Sequence, residues 1–417
     1  MRILTIANAA WDDRNAVGNT LSNWFTGWSD LELYSMYTRE TPPINSCCQY
    51  YYKVTVTDII KNFFTWKRIG RSFNMASCRA DDSDSMETKA VSNIRGWKRA
   101  FLGFVVDVIY STKIWLNGKM KAYIKEVDPN VVFCFAIVEP FRYNIVKYAK
   151  RHTKAKVVLW VADDVYGALS TQNYFMRKLN ERRYHRLFAM ADKVYGVSDM
   201  LCNEYSEIFK IPIEPLYKGC DLQECKSDVN KPIQIVYAGN LLYGRDETLM
   251  ALAEQLKKLN NEHTVAQLSI FSGTHVTDEA RKRLHIENTS TLNGPRPYDE
   301  IKDIMRQADI VLHVESFNPV QIKNVRLSFS TKIIDCLQSG SCMMVIGPKG
   351  IASVEYPRKI EGAVVVDDLS MLGDTLKRIV LQPEQLAVRA RQIHEFAQKN
   401  HQIDAVRSKL ANDLKTL

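Results

Sequence analysis

Short apolar runs alternate along the chain with longer segments in which apolar residues recur every three or four positions. This alternation is typical of an α/β protein whose parallel strands are buried on both faces and connected by covering helices. The predicted strands span 2–8, 31–37, 130–135, 157–161, 193–197, 213–216, 268–272, 310–314, 342–346 and 363–366, and a further strand starts at 233. The predicted helices span 140–152, 173–191, 247–259, 278–284 and 298–307, and a helical region covers 370–417.

The length of 417 residues suits two α/β domains of about 200 residues each. A polar stretch at 223–232 has the composition of an interdomain linker. We therefore predict an N-terminal domain at 1–222, completed by a C-terminal helix at 390–417, and a second domain at 230–389.

Residues 50–125 interrupt the α/β rhythm and concentrate the positive charge. The whole chain has a formal net charge of +9, and this segment holds 14 Lys and Arg against 6 Asp and Glu, a balance of +8. Basic residues alternate there with Phe and Trp, which predicts a helical insertion facing an anionic membrane surface. The alternative is a helical pair that packs on its own domain and leaves a solvated basic face. Nucleic acid is disfavoured as a partner because no recognition module accompanies the charge.

Nine scattered cysteines form no C-x-x-C pair, which favours a reduced compartment over a disulfide framework and suggests no metal site. The chain enters its first strand at Arg2, without the apolar core and cleavage site of a signal peptide. We expect a cytoplasmic protein.

The most informative polar segment runs from Ser328 to Gly340 and follows the apolar run 309–314. Its hydroxyl residues are suited to cap a helix that ends at Gly340. Free N–H groups at such a helix start attract phosphate, and Lys332 would add a positive charge in the first turn. Asp335, about one turn on, is placed to accept hydrogen bonds from sugar hydroxyls. The alternative is an ordinary strand–loop–helix unit with a solvated lysine.

Three further sites carry candidate chemistry, each with a structural alternative. The loop after the first strand contains Asp13, Asn15, Gly18 and Asn19 and is predicted either to face an acceptor or to be a plain turn. Asp163 and Asp164 follow a central strand, where one of them is equally suited to cap a helix. Arg245 is placed to reach the same phosphate as Lys332, or else to pair at the surface with Asp246 or Glu247.

The order of short motifs resembles the GT-B-type glycosyltransferases, above all the family-4 and related bacterial enzymes that build capsules and other surface polysaccharides. The resemblance covers most of the chain except 50–125. The residues that carry it are Tyr237–Leu241 with Arg245, Gly294-Pro295, Ala308–Leu312, Ser330–Gly340, Ala191–Ser198 and Gly219–Asp221.

This resemblance implies two Rossmann-like doubly wound domains that face a cleft holding a nucleotide-sugar donor of the UDP or GDP type. Arg245 and Lys332 would neutralise the diphosphate, with no metal and no cofactor. The implied donor-binding residues are Gly239, Asn240, Arg245, Glu315, Ser330, Thr331, Lys332 and Asp335. The implied acceptor is a lipid-linked or growing glycan at the inner face of the cell membrane.

The chain departs from the family at one position. Asp335 corresponds to the second glutamate of the family's pair, and Leu327 stands where the first is expected. Glu315 is a candidate substitute in a retaining enzyme. An inverting enzyme needs a general base, for which Asp163, Asp164, Asp12 and Asp13 are the candidates.

Two other functions stay open. A sugar-nucleotide epimerase on the same fold needs no acceptor and no membrane surface, which the insertion at 50–125 disfavours. A non-catalytic sugar-nucleotide-binding scaffold is compatible with Leu327. A periplasmic binding protein is disfavoured by the expected lack of a signal peptide and by the odd number of cysteines.

Overall fold

The computed structural model describes residues 1–39, 41–55, 58–59, 70–75 and 115–417. It divides into two compact units, Met1–Leu216 with Arg407–Leu417, and Tyr217–Val406. The predicted boundaries differ from this division. The stretch 223–232 and the helix Gln385–His401 belong to the second unit, because the helix packs on the second sheet.

The first unit is built on an eight-stranded sheet with the order β4-β3-β2-β1-β5-β6-β7-β8. All neighbouring strands are parallel except β3 and β4, which are antiparallel. In register, Leu4 pairs with Tyr34 on one side and with Val132 on the other. The strands are β1 Arg2–Ile6, β2 Glu32–Tyr37, β3 Tyr50–Lys53, β4 Arg71–Asn74, β5 Val131–Phe135, β6 Lys156–Val161, β7 Lys193–Gly196 and β8 Glu214–Pro215.

Aromatic side chains form much of the core between this sheet and its helices. The rings of Trp24 and Trp160 meet edge to face at 4.9 Å, and those of Phe25 and Phe133 at 5.4 Å. Such T-shaped contacts stabilise aromatic pairs beyond their buried area. The described helices of this unit are Ala16–Phe25, Gly118–Val127, Pro140–His152, Tyr174–Phe188 and Asp199–Phe209, with a short 3-10 helix at Gly167–Thr171.

The prediction of a helical insertion at 50–125 is wrong for Tyr50–Lys53 and Arg71–Asn74, which are strands, and agrees with the helix Gly118–Val127 at its far end. The two strands form an antiparallel pair at one side of the first sheet, with β4 at the edge, and Tyr51 stacks on Phe73 at 5.4 Å. Three consecutive tyrosines favour a strand over a helix because aromatic rings pack well on a pleated surface. Residues 56–57, 60–69 and 76–114 lie outside the described residues, and with them most of the proposed membrane contact.

The second unit contains a six-stranded parallel sheet with the order β11-β10-β9-β12-β13-β14. Its strands are β9 Ile233–Ala238, β10 Ala266–Phe271, β11 Ser290–Asn293, β12 Ile310–Val314, β13 Cys342–Ile346 and β14 Val364–Val366. This is the doubly wound order of dinucleotide-binding folds, in which the order of the strands along the sheet reverses between β9 and β12. Ligands of such sheets bind outside the carboxyl ends of the strands at this reversal.

Every residue of β12 and β13 is buried, as expected for central parallel strands covered on both faces. The covering helices are Arg245–Leu259, Asp278–Leu284, Tyr298–Gln307, Pro319–Val325, Lys332–Gln338, Ala352–Glu355, Leu372–Leu381 and Gln385–His401. A last helix, Ile403–Lys415, leads to the C-terminus. Within the described part of the chain, no helix is long and apolar enough to cross a membrane.

Candidate donor site

A cleft of about 390 Å³ lies at the carboxyl edge of the second sheet. Gly239, Gly273 and Pro295 line it from the segments that follow β9, β10 and β11, and Lys332 and Asp335 line it from the helix Lys332–Gln338. Parallel strands bring these five residues, which are far apart in sequence, to one edge. The structure thus brings together four of the predicted donor residues, Gly239, Thr331, Lys332 and Asp335.

The described basic residues that line this cleft are Arg296 and, of the predicted pair Arg245 and Lys332, Lys332. The Lys332 ammonium lies 5.8 Å from the centroid of the buried Tyr237 ring, a cation–π distance. Among the described residues it makes no hydrogen bond and no salt bridge.

Burial lowers the pKa of Lys332, and the nearby Arg245 guanidinium lowers it further. The Glu315 and Asp335 carboxylates oppose this shift without forming a salt bridge with Lys332. A partly desolvated ammonium that makes no salt bridge is suited to bind an anion.

The helix start is built differently from the prediction. Thr331 is the N-cap residue, but its side chain makes no capping hydrogen bond and its backbone is already helical. The amide of Ser330 donates instead to the hydroxyl of Ser353 at 2.9 Å. The predicted hydroxyl cap is therefore wrong. The predicted end is confirmed, because Gly340 follows the helix with φ +75°, a conformation that favours glycine.

Arg245 is buried and held by a bidentate contact with Glu315, at the end of β12. Its Nε lies 3.2 Å and its Nη2 3.1 Å from Oε2 of Glu315, and its Nη1 donates to Oδ1 of Asn240 at 2.8 Å. The alternative of a surface ion pair with Asp246 or Glu247 is wrong, because the fold brings Glu315 to Arg245 across 70 positions. Charge-assisted bidentate pairs of this type fix geometry strongly.

His313 completes a buried row with Glu315 and Arg245. Its Nε2 lies 3.1 Å from Oε1 of Glu315, and the side chain is 1% exposed. Burial lowers the pKa of His313, so the ring is neutral near pH 7. Burial opposes ionisation of Glu315, but His313 and Arg245 together hold its pKa below the ordinary value. The pair Arg245–Glu315 is therefore an ion pair, and its net charge is zero.

Asp335 is engaged by a tyrosine rather than open to solvent. Tyr298 donates its hydroxyl to Oδ1 of Asp335 at 3.1 Å and accepts from Nε2 of Gln338 at 3.3 Å. Burial raises the pKa of Asp335, and the Lys218 ammonium opposes this shift. A ribose hydroxyl would have to share this carboxylate with Tyr298.

The candidate acceptor loop of the first unit makes local contacts. Asn15 caps the helix Ala16–Phe25 by accepting from the amide of Gly18 at 2.8 Å. A Cβ at Gly18 would overlap the backbone of Asp12, so this close approach requires glycine. Asp13 accepts a hydrogen bond from Ser22. Asn19 continues the helix, its amide donating to the carbonyl of Asn15.

The carboxylates proposed as a general base are also engaged. Oδ1 of Asp164 accepts from the amide of Gly167 at 2.9 Å and from the hydroxyl of Tyr205 at 3.0 Å, so this carboxylate holds the turn that leads into the 3-10 helix. Asp163 accepts from the amide of Asp164 at 3.0 Å. Asp12 is held by Arg14, whose side-chain hydrogen bonds lower the pKa of Asp12.

Sequence reasoning missed Tyr298, His313 and Lys218 as parts of the site. Tyr298 and Lys218 carried no motif signal, and His313 occupies a strand position that is apolar in most parallel sheets. Leu327, at the family's glutamate position, is 1% exposed and belongs to the core. Among the described residues, no group of three or more His, Cys, Asp or Glu side chains is placed to hold a metal ion.

No protein-family model matches the chain, and no curated protein matches it. Solved structures do match. HepE from Anabaena in complex with UDP is 11% identical and aligns over 100% of both chains with a TM-score of 0.64. Sucrose-phosphate synthase from Thermosynechococcus elongatus is 10% identical over 100% of this chain and 98% of its own, with a TM-score of 0.60. The trehalose-6-phosphate protein from E. coli bound with UDP-2-fluoro glucose is 10% identical over 100% and 99%, also with a TM-score of 0.60.

These neighbours are GT-B glycosyltransferases, and the likeness shows that this chain has the GT-B fold. The predicted fold class is confirmed. Identities this low establish the fold alone, so family 4 stays a prediction.

Proposed function

We propose that the chain is a glycosyltransferase that takes a sugar from a nucleotide-sugar donor bound at the carboxyl edge of the second sheet. The observation that carries the proposal is Lys332, a partly buried ammonium that faces a cleft of about 390 Å³ and makes no salt bridge with any described residue. A donor diphosphate would supply a direct anionic partner for this ammonium. The GT-B fold adds support, because its solved neighbours include complexes with UDP and UDP-glucose.

The donor is proposed to be a UDP-sugar, with a GDP-sugar as the other nucleotide to test. Departure of the nucleoside diphosphate develops negative charge on the phosphate oxygens. Lys332 stabilises that charge directly, while Arg245, whose charge is balanced by Glu315, holds Glu315 and Asn240 in place beside it. Preorganised charges of this type are the main catalytic contribution in many transferases. Side chains supply the charge in this proposal, without a metal or cofactor.

Retention of configuration is the proposed stereochemical outcome. Glu315 is occupied by Arg245 and His313, and Asp164 by Gly167 and Tyr205, so neither carboxylate is arranged as an open general base. In a retaining reaction a donor phosphate oxygen takes the acceptor proton, and no protein base is needed. Inversion through Asp163 or Asp13 is the competing route.

The acceptor is proposed to be a lipid-linked or growing glycan of bacterial surface polysaccharide synthesis, met at the inner face of the membrane. This part rests on the resemblance of the motifs and on the basic, aromatic composition of 50–125. Most of that segment lies outside the described residues.

A non-catalytic sugar-nucleotide-binding protein is the second candidate. Two observations favour it: Arg245 is neutralised by Glu315, and Leu327 is buried where the family's first glutamate is expected. Such a protein would bind the donor and would not release its sugar.

Calorimetric titration with UDP, GDP and ADP tests the proposal, on wild type, Lys332→Ala and the exposed control Lys323→Ala. We expect one nucleotide to bind wild type and Lys323→Ala alike, and Lys332→Ala at least about tenfold more weakly. Binding that ignores Lys332, or no binding of any nucleotide, would overturn the donor site. Sugar release from the UDP-sugar, measured alongside, separates the transferase from the binding protein.

A further inference from the structure

We propose that the helix Tyr174–Phe188 of the first unit docks on an anionic membrane surface. Its first two residues carry the observation. The side chains of Tyr174 and Phe175 are 77% and 76% exposed, side by side at the helix start. Large apolar rings held this far out of a folded protein mark a contact site.

The exposed ring positions share one face of the helix with basic residues. At about 100° per residue, Tyr174, Phe175, Lys178, Arg182, His185 and Arg186 fall within an arc of about 120°. All six are exposed. The buried residues Tyr184, Leu187 and Phe188 lie on the opposite side, where they attach the helix to its own unit. The outer face is thus aromatic at one end and basic along its length.

The net positive charge of the helix favours an anionic partner. It holds Arg177, Lys178, Arg182, Arg183 and Arg186 against a single acidic residue, Glu181. Glu181 pairs with Arg177 at 2.8 Å and with Lys178 at 2.9 Å, which leaves the rest of the face strongly positive. Aromatic rings beside cations suit the headgroup region of an anionic bilayer, where rings insert and cations meet phosphates.

The helix start is fixed rather than frayed. Asn173 is extended, and its Oδ1 accepts from the amide of Met176 at 3.0 Å, a capping bond that holds the first turn. The chain reaches this point from the end of β6 through the 3-10 helix Gly167–Thr171, so the rings lie at the carboxyl edge of the first sheet. The same edge carries Asp163 and the loop after β1.

This position deepens the proposed function and rests on it. An acceptor attached to a lipid stays in the bilayer, and docking through Tyr174 and Phe175 would bring the carboxyl edge of the first sheet to it. The whole helix Tyr174–Phe188 lies within the described residues, whereas most of the segment 50–125 lies outside them.

Vesicle co-sedimentation tests the surface, with phosphatidylcholine alone and with equal parts of phosphatidylcholine and phosphatidylglycerol. We expect the full chain to bind only the anionic vesicles. The double variant Tyr174→Ser, Phe175→Ser should bind anionic vesicles at least about tenfold more weakly. The triple variant Lys178→Gln, Arg182→Gln, Arg186→Gln should show a loss of the same size. The control for the aromatic variant is Leu381→Ser, since the Leu381 side chain is 78% exposed. The control for the basic variant is the triple variant Lys257→Gln, Lys258→Gln, Arg281→Gln, whose three side chains are exposed. They should bind as wild type.

A second measurement locates the contact directly, because 50–125 also carries basic residues. Phe175→Trp should add a fluorescence component that brominated-lipid vesicles quench, and Leu381→Trp should add one that they do not. Absence of vesicle binding, unaltered binding of the Tyr174 and Phe175 variant, or no quenching at position 175 would each overturn the proposal.

UDP titration of the same surface variants keeps the two proposals apart. Normal UDP affinity with lost vesicle binding supports the docking surface and leaves the donor site intact. If wild type binds none of UDP, GDP and ADP, the proposed function is overturned, whatever the outcome of the vesicle experiments.

Discussion

Lys332 occupies the space that a Cβ atom at Gly239 would need: the added carbon would overlap Cε and Nζ of the lysine. Gly239 therefore determines where the ammonium lies, although the two residues are 93 positions apart. A Cβ at the end of β9 is therefore accommodated only if the tip of the lysine side chain moves away.

Gly239→Ala is expected to displace the Lys332 ammonium and weaken UDP binding at least about tenfold, with the melting temperature nearly unchanged because the lysine tip is free to move. Calorimetry and thermal unfolding measure the two effects. Gly273→Ala is the control: it lines the same cleft, and its Cβ would lie 3.6 Å from Pro295, an ordinary contact. Equal UDP affinity of both variants would contradict the arrangement.

UDP binding is expected to weaken as the pH rises, starting below the ordinary lysine pKa of 10.5, because burial lowers the pKa of Lys332. Only the charged ammonium attracts the diphosphate, so deprotonation removes the attraction. Calorimetry across the alkaline range measures this loss. Lys332→Met should bind weakly at every pH and show a flat profile over the same range; a matching slope in the variant would assign the titration to another group.

Glu315→Gln is expected to destabilise the nucleotide-free protein by about 3 kcal/mol, because it leaves the buried Arg245 guanidinium without its counter-charge. A donor diphosphate would restore that charge. UDP should therefore raise the melting temperature of Glu315→Gln more than that of wild type. An equal rise in both proteins would show that Arg245 does not sense the nucleotide.

Asp309→Asn is expected to cost about 3 kcal/mol of unfolding free energy. The Asp309 side chain is fully buried and accepts from Lys226 Nζ at 2.7 Å and from the amides of Asn230 and Gln234 at 3.0 and 2.7 Å. Denaturant unfolding measures the cost. Asp303→Asn is the surface control, 66% exposed and 3.5 Å from Arg306, and should change stability by less than about 0.5 kcal/mol.

Because of His401, we expect the free energy of unfolding to fall in acid. Burial lowers the pKa of His401 to about 4, and the ring accepts or donates a 2.5 Å hydrogen bond with Tyr356. The unfolded chain takes up this proton near pH 6.5 and the folded one only near pH 4, so the stabilisation is complete above pH 6.5 and is lost as the pH falls to 4. The difference corresponds to about 3 kcal/mol.

Unfolding midpoints from pH 7 to pH 4 measure this effect. His401→Gln should be less stable than wild type at pH 7 and should show a smaller slope over this range. An unchanged slope would place the acid sensitivity on other groups.

The sequence predicted central elements well and edge elements poorly. The helices Pro140–His152, Asp278–Leu284 and Tyr298–Gln307 have the predicted bounds, because their apolar periodicity and end signals agree. The edge strand Ser290–Asn293 was not predicted, since it is short and polar. The helix Pro319–Val325 was not predicted, and none of its residues is buried to give a periodic signal.

In the donor site, too, some residues could be predicted from the sequence and others could not. Lys332 and Gly340 were predicted from local spacing in one segment. The partners of Arg245 and Asp335, namely Glu315 and Tyr298, come from segments 70 and 37 positions away and depend on strand order. Local patterns carry no information on which strands become neighbours, so such pairs follow only from the assembled sheet.

Asp309 also affects how the chain could be divided into pieces. Residues 226–234 resemble a tether in composition, yet they supply the donors that this buried carboxylate requires. A fragment cut to begin at Ile233 would keep all six strands of the second sheet but would lose Lys226 and Asn230. The smallest autonomously folding version of this unit therefore starts upstream of its first strand, at a position set by one carboxylate.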